Sequence, residues 1–242
     1  MTLKVQGFII KKLPYGDNSA ILKVFTGTEG LMSFMVHGVQ RRQGSNAPVS
    51  QLMNAVELIY YPAKNSGLNR VKEIQTLAGQ SWVAQDPVKT QILLFCAELL
   101  HHVLQDNAPD PELFNLLLHF FDSLGKGYKT AHHPLWFMLH LLKNQGIEPN
   151  LDLTGAATGF DPVNGNMVFP DMTLPPVNFL SREGCSLAVE LLNIQLSDLN
   201  EFVSDIRIRQ STFDLMLIFC QLHLLHGKKL KSVEIIREVL RS

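Results

Sequence analysis

The chain has 242 residues, 46% of them apolar and 18% charged, with a formal net charge of −1. That is enough material for one large domain or two small ones around a buried core, and it excludes an intrinsically disordered chain. Cys96, Cys185 and Cys220 are far apart in apolar, helix-like settings, which excludes a disulfide framework or a paired-cysteine metal knuckle and reads as buried, reduced thiols. Charge is unevenly spread. Residues 1–80 carry nine Lys/Arg against four Asp/Glu, residues 81–204 five against fourteen, and residues 205–242 seven against four. A basic amino-terminal module, an acidic middle and a basic tail imply different partners for different parts. Met1-Thr2-Leu3-Lys4-Val5-Gln6 lacks the apolar core of a signal peptide. No window approaches the roughly 18 charge-free apolar residues of a membrane span. A cytoplasmic protein without membrane contact is expected.

The first 80 residues read as strands. Gln6 to Leu13 reads as the first strand and stops at the turn Pro14-Tyr15-Gly16-Asp17-Asn18. Ser19 to Thr26 follows, closed by Gly27-Thr28-Glu29-Gly30, and Leu31 to Val39 makes a third strand that runs into Gln40-Arg41-Arg42 and a polar loop. Asn54 to Tyr61, stopped by Pro62, and Asn69 to Leu77 complete five short strands. Arg70 and Lys72 alternate and so share a face. Five β-branched and aromatic strands suit a small barrel, of which the OB-fold has this strand count; an SH3-like barrel carries a similar signature.

From Trp82 the period becomes helical. Asp86-Pro87 and Asp110-Pro111 are matching start signals, an N-cap followed by proline. They open amphipathic runs Val88 to Gln105 and Glu112 to Leu124, and Pro134 opens a third that ends at Gly146. Short connections predict antiparallel neighbours in a bundle. Five prolines in residues 147–180, with Gly155, Gly159 and Gly165, exclude a long helix there and predict an irregular insertion with one possible strand at Asn166 to Phe169. Helices resume at Arg182 to Ile194, at Ser197 to Glu201, at Ser211 to His226 and from Ser232 to Leu240. The expected class is α+β, with a five-stranded barrel over 1–80 and an α-helical domain over 81–242 interrupted at about 147–180.

No motif for acyl transfer, nucleotide cradling or zinc hydrolysis is present, so no catalytic residue is assigned and an enzyme is not expected. Gly125-Lys126-Gly127 follows a helix and reads as its C-cap. The nine histidines lack an accompanying cysteine or carboxylate constellation, so no metal or other cofactor is expected. The cations Lys11, Lys12, Lys23, Arg41, Arg42, Arg70 and Lys72 all fall in the β module. Gathered on one surface they would neutralise nucleic-acid phosphates, giving affinity with little sequence information. A solvated basic face is the competing reading. Phe8, Phe34 and Tyr15 are candidate stacking platforms for bases. Gly227-Lys228-Lys229-Leu230-Lys231-Ser232 forms a second basic cluster, which also suits a helix dipole.

Several stretches together carry a family resemblance. They are Gly7-Phe8-Ile9-Ile10, Tyr15-Gly16-Asp17-Asn18, Val24-Phe25-Thr26 with Gly30-Leu31, Gly38-Val39-Gln40-Arg41-Arg42 leading to Ser45, and His226-Gly227-Lys228-Lys229-Leu230-Lys231-Ser232. The whole chain resembles the RecO family of bacterial recombination-repair mediators. The resemblance implies an amino-terminal OB-fold, a helical domain and a role without covalent catalysis. It implies binding of single- and double-stranded DNA, strand annealing, and help in loading RecA. It also implies contact with RecR and with the acidic, hydrophobic C-terminal tail of single-stranded-DNA-binding protein, in a cytoplasmic, nucleoid-associated setting. Such a tail needs a cation beside an apolar pocket, for which Lys126, Lys129 and Trp136 are the candidates. Many family members hold zinc with four cysteines in the insertion. Here Gly159-Phe160-Asp161-Pro162-Val163-Asn164-Gly165 has no cysteine, so the segment is expected to lack zinc and to be held by packing and turns. A protein-interaction scaffold whose barrel binds no nucleic acid is the alternative.

Overall fold

Alternating apolar residues build the amino-terminal barrel. The computed structural model describes residues 1–38, 49, 51–63, 67–77, 86–127, 129–172, 176 and 178–241. The chain divides into two compact units, Met1–Phe121 and Asp122–Ser242. In the first, β1 (Leu3–Tyr15), β2 (Ser19–Thr26), β3 (Gly30–His37), β4 (Ala55–Tyr61) and β5 (Leu68–Thr76) close a barrel in the order β1-β2-β3-β5-β4. Every neighbouring pair is antiparallel except β3 and β5. One residue in two points inward, which puts Ile9, Ala20, Leu22, Val24, Phe34, Val36, Val56, Leu58 and Tyr60 into one core. Burying each large apolar side chain contributes about 1.5–3 kcal/mol. β1 serves two partners, pairing Leu3–Phe8 with β4 and Gly7–Tyr15 with β2. The register slips between Ile9 and Lys11, a bulge that adds the local twist such a shared strand needs.

The outward residues at one end of the barrel are covered by helical residues of the same unit. α1 (Pro87–Val103) begins where the Asp86 side chain accepts from the Lys89 amide. α2 (Pro111–Lys126) begins where Asp110 accepts from the Leu113 amide at 2.8 Å. Phe114 of α2 lies 5.7 Å from the Phe8 ring and 6.0 Å from Phe25, and Phe121 lies 5.8 Å from Phe8. Phe8 and Phe34 are both 0% exposed, one beneath this aromatic cover and the other inside the barrel. Neither can stack on a base, and that expectation is corrected. The segment joining α1 to α2 is stitched to β3. Asp106 bridges Leu31 in parallel, and the Asn107 amide donates to the Leu31 carbonyl at 3.1 Å. Gly30, at φ +73°, lies so close that a Cβ there would stand 2.3 Å from the Ala108 carbonyl oxygen.

The second unit contains α3 (His133–Asn144), α4 (Arg182–Asn193), α5 (Ile206–His223) and α6 (Val233–Val239). α5 starts earlier than the expected Ser211, because Asp205 caps it by accepting from the Arg207 and Ile208 amides. Residues Ser197–Glu201 form turns where a short helix was expected. The insertion folds into a small sheet of β6 (Gly159–Asp161), β7 (Asn166–Val168) and β8 (Leu180–Ser181), in the order β7-β6-β8. The Asp161 carboxylate shapes its hairpin turn by accepting from the Val163 and Asn164 amides and from Asn164 Nδ2. Phe160 packs on Phe219 of α5, and Arg182 donates to the carbonyls of Ala157 and Leu153. Among the described residues no group of three or more His, Cys, Asp or Glu side chains could hold a metal ion. Likewise, no helix is long and apolar enough to cross a membrane.

Candidate nucleic-acid interface

Residues opposite one another in a ladder point the same way, so the register alone defines what the outer face of β2 and β3 presents. Leu13 faces Ile21, Ile21 faces Met35, Met35 faces Arg70, and Arg70 faces Tyr61. This single row crosses all five strands. On one side of it Tyr15 pairs with Ser19 and Ser19 with His37; on the other, Lys11 pairs with Lys23 and Lys23 with Ser33. Tyr15 is 51% exposed, Tyr61 45% and Leu13 40%. Beyond Lys11 and Lys23 the outward positions Phe8, Phe25 and Leu31 are buried. The face therefore grades from helix-covered at one end to open at the other, with the two lysines at the boundary.

The geometry brings some expected cations together and separates others. Lys11, Lys23 and Arg70 share this face. Lys11 Nζ donates to His101 Nε2 at 2.8 Å, and Lys23 Nζ contacts both Asp106 carboxylate oxygens at 2.7 and 2.9 Å. Lys12 stands opposite the core residue Leu22, so it points away from that face; burial lowers its pKa. Lys72 is exposed, but the β4–β5 register slips between Ile59 and Tyr60 and leaves it outside the pairing. The expected strict alternation with Arg70 is thus broken by a bulge. Lys72 lies 3.1 Å from Glu73, whose hydrogen bond raises its pKa. Arg41 and Arg42 lie outside the described residues. Just before them, the Gly38 amide donates to the Asn18 carbonyl at 2.8 Å, tying the end of β3 to the β1–β2 turn.

Sequence reasoning missed Tyr61, and with it the apolar row of Leu13, Ile21 and Met35. Its position before Pro62 marks only a strand end; that it flanks Arg70 follows from the β4–β5 register. In the second unit, Lys126 is exposed and paired with Asp122 one turn earlier at 2.6 Å, and Lys129 is exposed. Trp136 is 4% exposed and stacked on His140, with ring centroids 3.8 Å apart. Burial lowers the His140 pKa.

A closed barrel in this strand order, with an open outer face of aromatic, apolar and basic side chains, defines an OB-fold protein. Residues 1–80 match the family model described as Recombination protein O N terminal, and residues 84–233 match that described as Recombination protein O C terminal. The chain belongs to the RecO family. It is 24% identical to the DNA repair protein RecO of Christiangramia forsetii over 247 residues, covering 99% of both chains. It is 25% identical to the DNA repair protein RecO of Bacteroides fragilis over 245 residues, again covering 99% of both. With the protein of the same name from Prosthecochloris aestuarii it shares 29% identity over 153 residues, 63% of this chain and 58% of the relative.

Proposed function

We infer that the chain is a DNA repair and recombination mediator that works by binding and carries out no covalent chemistry. Residues 1–80 act as its nucleic-acid-binding domain, and residues 81–242 as a helical domain for protein partners. The observation that carries the reading is the row Leu13, Ile21, Met35, Arg70 and Tyr61 on the outer face of an OB-fold barrel, flanked by Tyr15, Lys11 and Lys23. Single-strand binding needs this pairing of cations that follow the backbone with flat side chains that accept any base. Duplex DNA, whose bases are stacked, engages the cations alone. Neutralising phosphates also lowers the repulsion between complementary strands, which favours annealing. Family membership supports the wider role: loading RecA together with RecR on DNA coated by single-stranded-DNA-binding protein, in the cytoplasm at the nucleoid. With Trp136 buried, Lys126 and Lys129 are the exposed part of the proposed site for that protein's acidic tail.

A salt titration of binding to a labelled single-stranded oligonucleotide tests the core of this. Log affinity should fall linearly with log salt. Tyr61→Ala should weaken binding by about 1–3 kcal/mol, and Arg70→Ala should flatten the slope by about 0.7. Arg41→Ala/Arg42→Ala should weaken binding and flatten the slope further. Absence of binding at low salt would refute the nucleic-acid role and leave the barrel as a protein-interaction module.

A further inference from the structure

Lys23 lies at the covered boundary of the binding face, and its charge is already answered. Asp106 contacts it with both carboxylate oxygens. That carboxylate is not a chance surface neighbour. The segment carrying it is fixed to β3 by the bridge between Leu31 and Asp106 and by the Asn107–Leu31 hydrogen bond, and it is seated against Gly30. Asn107 takes a left-handed φ of +56° to turn the chain there. Lys11 and Lys23 stand directly opposite one another, an arrangement in which like charges destabilise a sheet. Asp106 offsets part of that repulsion. The Asp106 side chain is 58% exposed and that of Lys23 24%, so solvent, and therefore an incoming anion, reaches the pair.

We propose that Asp106 is a built-in surrogate for a backbone phosphate: it holds the Lys23 subsite in the unbound protein, and a nucleic-acid strand engages Lys23 by displacing it. This rests on the reading of the β2–β3 face as a nucleic-acid interface. Two carboxylate oxygens on an ammonium reproduce what two non-bridging phosphodiester oxygens would offer. A single phosphate meeting Lys23 gains little, because it only replaces an equivalent anion. A strand that also reaches Arg70 and the two exposed tyrosines gains enough elsewhere to displace it. Asp106 thus sets the affinity threshold and salt dependence of the face, and favours extended strands over isolated phosphates.

The experiment measures fluorescence anisotropy of a labelled single-stranded oligonucleotide against salt for the full chain. The variants are Asp106→Asn, Lys23→Ala, the double variant, and Glu29→Gln as a control for removing one negative charge elsewhere on the barrel. Asp106→Asn should tighten binding about two- to fivefold, the range of an exposed ion pair. It should also steepen the log–log slope by up to about 0.7, because no displaced carboxylate is left to recapture a counterion when the strand binds. Lys23→Ala should weaken binding on its own, and combining it with Asp106→Asn should abolish that variant's gain. An unchanged affinity and slope in Asp106→Asn, with the unaltered chain binding normally, would overturn the surrogate while leaving the nucleic-acid reading intact. An equal gain in Glu29→Gln, or a gain that survives Lys23→Ala, would overturn it as well. Loss of all binding at low salt would overturn both.

Discussion

Replacing Gly30 with alanine tests how the segment after α1 is fixed to the barrel. Gly30 has φ +73°, and an added Cβ would lie 2.3 Å from the Ala108 carbonyl oxygen, 2.4 Å from its carbon and 2.5 Å from its nitrogen. All three are backbone atoms, so no side-chain rotation relieves the contact. The left-handed conformation costs an alanine about 1–2 kcal/mol. Pushing Ala108 away also strains or breaks the hydrogen bond from the Asn107 amide to Leu31, worth about 1 kcal/mol. The expected loss is about 2–4 kcal/mol, at the upper end of single-substitution effects. Gly16 is the internal control: its φ is +62°, and nothing lies within 4 Å of an added Cβ. Gly16→Ala should therefore cost only the conformational part. Urea unfolding followed by far-ultraviolet circular dichroism measures both variants. If Gly30→Ala proves no less stable than Gly16→Ala, close packing of Gly30 against Ala108 is not what fixes the segment.

Three further outcomes are expected. Burial, and secondarily the nearby Arg209 charge, lowers the His132 pKa from 6.5 to about 4. The unfolded chain therefore takes up a proton near pH 6.5 that the folded chain refuses. The stabilisation is fully present above that pH and is lost as pH falls toward 4, on the order of 1–2 kcal/mol between pH 7 and 5; stability curves should be flatter for His132→Gln. Cys96, Cys185 and Cys220 are buried, and burial pushes the thiol pKa up to about 11 for Cys185 and about 12 for Cys220. Thiol reagents at pH 8 should label none of them in the folded chain and all three in denaturant, and rapid labelling of the folded chain would refute the packing. Arg209 is 4% exposed and donates through Nε and Nη2 to the Leu240 carbonyl at 3.1 and 2.7 Å. Arg209→Ala should cost about 2–4 kcal/mol and speed amide hydrogen exchange in α6; unchanged exchange there would refute its role as an anchor.

Strand count was legible because alternation is a local signal: Ala20, Leu22 and Val24 announce an inward face without reference to anything else. Proline misled at one boundary. β1 runs through Pro14 to Tyr15, where a residue without an amide donor is tolerated near the end of a strand. At α5, Ile206-Arg207-Ile208-Arg209 alternates like a strand, and the true signal was the Asp205 cap. The candidate site was only half legible. Positive charge in the first 80 residues is visible in the sequence, but which cations meet is decided by register. Lys11 and Lys23 are joined by an antiparallel ladder, Arg70 joins through the parallel β3–β5 pair, and Lys72 drops out at a bulge. Phe8 points outward as alternation requires. What hides it is Phe114 and Phe121, more than a hundred residues on, and no local pattern carries that information.

The double duty of β1 also bears on how the chain is made. Its second half can pair with β2 as soon as residues 19–26 exist, but Leu3–Phe8 waits for β4. At about 5–20 residues per second, synthesis from Phe8 to its partner Ala55 takes on the order of 2–10 seconds. Throughout that interval the first strand is an unsatisfied edge, open to pairing with a neighbouring nascent chain. Lys4 and Gln6, both exposed, interrupt the apolar character of that edge during the wait. In the finished barrel the same two side chains bind Glu57, so the residues that guard the growing chain later help to close it.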